Sequence, residues 1–225
     1  MFYRIVTSAL FAGFAAGLIA GLLQLVFLQP HLLFAEMFES GVLTHDPIAG
    51  SLARDGGLSF DPMRDGVSLL FSALTYTGYS LMFVAAMALA DERGHVITPR
   101  LGIIWGVAGF ITVQFAPSIG LPPQLPGLSA ADMVSRQIWW FSTVAATGVA
   151  MWLIAFGRSW MMWGLAILLL LAPHVIGAPE PERYLGSVPP ELASAFASGS
   201  MGVGMAAWVI LGLLAAHFWR AQGDV

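Results

Sequence analysis

Two Pro-His pairs, Pro30-His31 and Pro173-His174, each close a long apolar run in a chain with only five histidines. Imidazole is the neutral, metal-coordinating side chain that commonly titrates near physiological pH. Two of them at matching membrane borders suggest a site for a divalent cation. The stretch after the first run adds Glu36, His45 and Asp46, with Glu39 as a second-rank acid. Nitrogen and oxygen donors of this kind suit borderline ions such as cobalt, nickel or zinc. Their spacing is looser than that of a closed zinc motif, and a lone histidine commonly serves a surface or hydrogen-bonding role. With no cysteine in the chain, thiolate ligation and disulfides are excluded. Met201 and Met205, four apart, offer thioethers of the kind that select copper(I), but methionine in a membrane span ordinarily packs.

The elements that must position these residues follow from composition. Of 225 residues 58% are apolar and 10% charged, and the mean hydropathy is +0.80. A soluble domain of this size has no way to hide so much apolar surface. Six apolar runs approach the roughly 20 residues that a bilayer core requires: about 5–28, 67–90, 101–116, 137–156, 159–176 and 198–219. The runs are continuously apolar rather than alternating, which argues against a β-barrel. The expected fold is all-α, a polytopic transmembrane bundle of about six spans. Five spans result if a weak run, such as the short third one ending at Pro117, stays in the interface. Residues 1–225 read as a single integral membrane domain, with the first run a retained helix rather than a cleaved signal.

Orientation rests on the nine basic residues, all arginine. With the N-terminus inside, Arg4, Arg93, Arg100, Arg158 and Arg220 lie on the inner side, where connections are short (91–100 and 157–158). The outer connections 29–66, 117–136 and 177–197 are long and rich in proline, so they are expected to be stiff and non-helical. They carry ten of the thirteen acids, and such a face concentrates cations, although a solvated loop surface has the same composition. Pro30, Pro117 and Pro173 stand at the ends of the three outward-running helices. Proline there either terminates each helix or frees a carbonyl to line a polar cavity.

Small residues predict the packing. Ala9, Gly13, Gly17 and Gly21 recur every fourth residue, Gly102 and Gly106 repeat the pattern, and the last run adds Ser198-Gly202-Ala206 and Gly204-Gly212-Ala216. Such stripes let helices approach closely, within the chain or between copies in a homo-oligomer. Trp139, Trp140, Trp160, Trp163 and Trp219 fall near predicted membrane borders, where indole is favoured. Gln114, Thr75, Tyr76, Thr77, Thr143 and Thr147 are polar positions inside spans, expected chiefly to bridge helices. No charged residue sits mid-span, no phosphate loop is present, and no catalytic triad or paired carboxylate stands out. The partners expected are the lipid bilayer and a divalent metal ion, with no nucleic acid.

Several ordered segments resemble the CbtA family of predicted cobalt transporter subunits. They are the glycine-striped first helix running into Pro-His-Leu-Leu-Phe-Ala-Glu-Met-Phe-Glu at 30–39 and Gly-Leu-Pro-Pro-Gln-Leu-Pro-Gly at 120–127. Arg136-Gln137 before Trp139-Trp140, Pro-His-Val-Ile-Gly-Ala-Pro at 173–179 and Val-Pro-Pro-Glu-Leu at 188–192 complete the set. The resemblance implies a multi-pass protein of the bacterial inner membrane, linked to cobalamin synthesis and importing cobalt. It also implies a small single-span partner with a histidine-rich tail, and a family pattern of five spans.

The function expected is therefore that of a membrane subunit for uptake of a divalent transition metal, cobalt first and nickel or another ion second. His31, His174 and Glu36 would capture the ion near the outer leaflet, with His45 and Asp46 as an outer relay. Two other classes compete: a non-transporting assembly or metal-sensing protein, and an integral membrane enzyme acting on a lipid.

Overall fold

The computed structural model describes residues 1–43 and 61–223. They form helices α1 (Phe2–Phe27), α2 (Gln29–Glu39), α3 (Pro62–Glu92) and α4 (Pro99–Phe110), a π-helical turn at Ile111–Phe115, then α5 (Ala116–Gly120), α6 (Met133–Phe156), α7 (Trp160–Ile176) and α8 (Pro190–Ala221). His45 and Asp46 lie outside the described residues. The architecture is all-α. Five segments are long and apolar enough to cross a membrane: Phe2–Phe27, Pro62–Glu92, Pro99–Gly120, Met133–Phe156 and Pro190–Ala221. The short helix is α7, with 17 residues, and not the third run, which reaches 22.

Helix starts lie outside the apolar runs because polar caps set them. The Asp61 carboxylate accepts from the Met63 and Arg64 amides at 2.9 and 3.2 Å, and Pro62 occupies a first-turn position whose N–H would go unused. Asp132 accepts from the Ser135 amide at 2.9 Å and opens α6 four residues before the apolar run at 137. Proline explains two further departures from expectation. The segment after α1 is helical, not a stiff non-helical loop, because Pro30 is the second residue of α2 and withholds no bond there. Nor do Pro117 and Pro173 terminate their helices, which run on to Gly120 and Ile176.

The chain divides into two compact units. The first comprises the described parts of Met1–Leu28, Leu58–Phe110 and Gly202–Val225. In it α1 lies antiparallel to α3 along the glycine stripe: a Cβ on Gly13 would stand 2.5 Å from the Thr77 Cα, and one on Gly17 2.5 Å from the Ala73 Cα. Real Cβ atoms do not approach that closely, so only glycine permits this seam. Gly102 and Gly106 meet α8 in the same way, against the backbone of Gly212 and Trp208. An aromatic cluster completes the packing. Trp208 stacks on Tyr79 at 5.4 Å between ring centres and meets Phe83 at 6.0 Å, with Trp105 edge-on to Phe83. The stripes at Gly13–Gly21 and Gly102–Gly106 are thus consumed inside the chain. Gly202, by contrast, faces open space.

The second unit comprises the described parts of Gln29–Gly57 and Ile111–Met201. Its centre is a hairpin in which α6 and α7 run antiparallel, packed along their length. The π-helical turn and α5 lie against α6. The turn has a local cause. The Pro117 ring would collide with the Val113 carbonyl in α-register and has no N–H to give it, and one extra residue in the turn relieves the clash. The Ser118 hydroxyl donates to the Gln114 carbonyl at 2.5 Å, and the Gln114 amide donates to the Ser200 carbonyl at 2.9 Å. Gln114 therefore bridges helices, as its position predicts.

These contacts predict an asymmetric response to one added methyl. Gly17→Ala or Gly106→Ala forces backbone apart and should destabilise the protein by about 1–3 kcal/mol or more. Gly202→Ala should be neutral or stabilising by up to about 1 kcal/mol through helix propensity. Thermal unfolding of the detergent-purified variants distinguishes the two classes.

Candidate metal-capture site

Helix α2 carries the first two candidates. A residue pair five apart on an α-helix is separated by roughly 140° around the axis, so His31 and Glu36 occupy different faces. His31 is half-buried; Glu36 is exposed, as is Glu39. Ala35 and Phe38 form the buried face, and Phe34 meets Phe38 edge-on at 5.1 Å. The helix ends in a left-handed Gly41 (φ 75°), with the Leu43 amide donating back to the Met37 carbonyl at 3.0 Å. That closure is the glycine C-terminal motif, which spends orphan carbonyls that a free end would leave to water.

Two proline-rich loops of this unit are bonded to each other. The Ser129 amide donates to the Leu185 carbonyl at 2.8 Å, the Leu185 amide to the Ser129 hydroxyl at 2.9 Å, and Leu128 pairs antiparallel with Gly186. Gly127, at φ 80°, is closely surrounded: a Cβ there would lie 2.9 Å from the Ser187 Oγ and 3.5 Å from the Glu39 Cβ. Glu39 rather than Glu36 is thus the α2 acid that borders the paired loops. Proline stiffness alone did not predict this pairing. The Leu-Pro-Gly at 125–127 was its only local signal, since glycine supplies the positive φ.

His174 sits in the last turn of α7, half-buried and edge-on to Trp139 with 6.2 Å between ring centres. The Trp139 indole donates to the Pro173 carbonyl at 3.3 Å, and its far edge would meet a Cβ on Gly120 at 2.7 Å. Trp139 is therefore an internal wedge between α5 and the end of α7, 8% exposed, and no border anchor. Trp219, expected at a border, is also buried, whereas Trp160 and Trp163 are exposed. Asp132, fully exposed, has its carboxyl held below the usual carboxylate range, first by the Ser135 amide and then by the Ser135 hydroxyl.

Of the five sequence candidates, His31 and Glu36 lie on different faces of α2, His174 ends α7, and His45 and Asp46 are not described. Among the described residues no three His, Cys, Asp or Glu side chains come together to hold a metal ion. Comparison with known proteins agrees with the resemblance of the ordered segments. The family model described as "Probable cobalt transporter subunit (CbtA)" matches residues 2–220. No curated protein and no solved structure matches the chain.

Trp139→Ala should cost about 3–5 kcal/mol, the usual range for removing a packed tryptophan, and leave the His174 ring without its edge-on neighbour. Its unfolding temperature in detergent is the check. Asp132 yields a pH-dependent test. A carboxyl with a lowered folded pKa contributes stability above its unfolded value, about 3.8, and loses it as pH falls through the folded one. The wild-type advantage over Asp132→Ala should hold at neutral pH and narrow only below pH ~4, in melts run across that range.

Proposed function

The chain belongs to the CbtA family, probable cobalt transporter subunits, and from that premise we propose that it captures a divalent cation at its outer membrane border and passes it inward. Cobalt is the first cargo on this reading and nickel the alternative. The protein is a multi-pass membrane protein, and we place it in the bacterial inner membrane, working with a small single-span, histidine-rich partner.

The observation that carries the capture step is the bonded loop pair Leu128–Gly186. Loop 121–132 precedes α6 and loop 177–189 follows α7, so bonding between them supports a hairpin that leaves and returns to one side. Helix α7 is short, but its end lies beside Trp139 near the start of α6. About 25 Å of helix is then enough to complete the return. Counting crossings through α1, α3, Pro99–Gly120, α6 and α7 assigns His31 and His174 to the same side, with six crossings in all. That side also bears the exposed acids Glu36, Glu39, Asp132, Glu180, Glu182 and Glu191. A surface of this sign raises the local concentration of a dication. The inward-negative potential then favours entry by about 2.3 kcal/mol per charge per 100 mV.

Capture by separated imidazoles and carboxylates, rather than by a closed cage, fits a step that must release its ion. His31 and His174 supply nitrogen, Glu36 supplies oxygen, and His45 with Asp46 form the outer relay. Cells carrying His31→Ala and His174→Ala should accumulate several-fold less cobalt than wild type when cobalt is limiting. Accumulation at the wild-type rate would reject this capture site.

A further inference from the structure

Three buried hydroxyls lack a hydrogen-bond partner among the described residues: Ser8, Ser80 and Thr147. Ser8 and Ser80 lie on α1 and α3, whose seam is closed to van der Waals contact; a Cβ on Gly13 would stand 2.8 Å from the Ser80 Cβ. Thr147 differs in its surroundings. It is fully buried on α6, on the face that also buries Trp139, Thr143 and Ala150, and it belongs to the unit containing the π-helical turn.

Two contacts fix the register of α6 against that turn. Gly120 meets Trp139, and a Cβ on Gly148 would lie 3.4 Å from the Thr112 Cγ2. The helices are antiparallel, so Thr147 stands level with Thr112 and Val113. There the backbone leaves α-register, and Pro117 supplies no N–H to the Val113 carbonyl four residues before it. Thr143, one turn nearer the outer end, donates its proton to the Trp139 carbonyl at 2.8 Å and keeps its oxygen lone pairs. The site lies roughly 20 Å along α6 from Met133, deep within the span.

Thr143, the other polar residue that this face buries, commits its proton to its own helix. A hydroxyl buried without a partner in hydrocarbon is costly, and π-helical turns recur at functional sites. Irregular backbone at membrane depth persists where it is buried in protein or lines a polar path. We propose that the Thr147 hydroxyl and the Val113 carbonyl of the π-helical turn contribute to an intramembrane oxygen site for a partly hydrated divalent cation, with the Thr143 oxygen one turn above as the preceding station. Hard oxygen donors bind a borderline dication more weakly than imidazole does, as an ion in transit requires. The inference rests on the uptake reading and names where the ion passes after capture.

The test compares wild type, Thr147→Val and Thr147→Ser in cells at limiting cobalt, with membrane abundance measured for each. The proposal expects Thr147→Val to lower uptake roughly three- to tenfold, about the value of one lost polar contact, and Thr147→Ser to retain it. Thr147→Ala removes the same hydroxyl and serves if valine is not accommodated. Were Thr147 merely packed, Thr147→Val would melt at a higher temperature in detergent and take up cobalt like wild type. That result overturns the site and leaves the uptake reading standing. If wild type with its partner accumulates no more cobalt than empty cells, the uptake reading falls and the site falls with it.

Discussion

Helices in hydrocarbon gain little by hiding apolar side chains from one another, because lipid is equally apolar; close backbone approach must hold them together. The first unit depends on that constraint. Gly13 and Gly17 press against the backbone of α3, and Gly102 and Gly106 against that of α8. Where glycine brings backbones together, large rings close the space beside it: a Cβ on Gly109 would strike the Trp208 ring at 2.6 Å. Tyr76, Tyr79, Phe83 and Trp105 extend that ring cluster. Small and large residues are thus two halves of one packing solution.

The same solvent forbids unspent polar groups, and the chain meets that demand locally. Thr77 donates to the Ala73 carbonyl at 2.7 Å, Thr143 to Trp139 at 2.8 Å and Ser200 to Phe196 at 2.8 Å, each one turn back on its own helix. Longer-range bonds are fewer and join helices: Ser72 to Gln24 at 2.8 Å, Gln114 to Ser200. Against this regularity stand Ser8 and Ser80 in the tight α1–α3 seam and Thr147 near Pro117. There the backbone breaks α-register, level along α6 with a threonine whose hydroxyl makes no such bond.

Spans and glycine seams were legible in the sequence because each is a local property. A run of apolar residues and a four-residue glycine period need no partner to be recognised, whereas the Asp61 and Asp132 caps that start α3 and α6 earlier were not read. Misreadings arose where position within an element decides the outcome. Pro30 is harmless because it is second in α2, and Pro117 is tolerated because a π-helical turn absorbs it; neither is visible in residue type. Trp139 and Trp219 lie at the right chain depth for border anchors, yet each is turned inward by a specific acceptor, the Pro173 carbonyl for one and the Asp91 carboxylate at 3.1 Å for the other. The candidate site was legible as ligand chemistry but not as geometry, since nothing local relates α2 to the end of α7.

Trp219 also shows how one arginine can serve two ends. Arg4 donates through Nε to the Trp219 carbonyl at 3.0 Å and lays its guanidinium 3.9 Å from the centre of that ring. Thr7 donates to Gln222 at 2.5 Å beside it. The beginning of α1, the end of α3 and the end of α8 are thereby joined through a single indole. Arginine suits the task where lysine would not, because a planar guanidinium can stack on a ring and bond a carbonyl together. One residue thus holds this end of the unit closed by its shape as well as by its charge. Spending the cation on a neutral carbonyl and a ring, with the nearby carboxylate taken by the indole, leaves no ion pair in this knot. Its strength therefore depends less on salt than that of an exposed ion pair, which screening weakens readily.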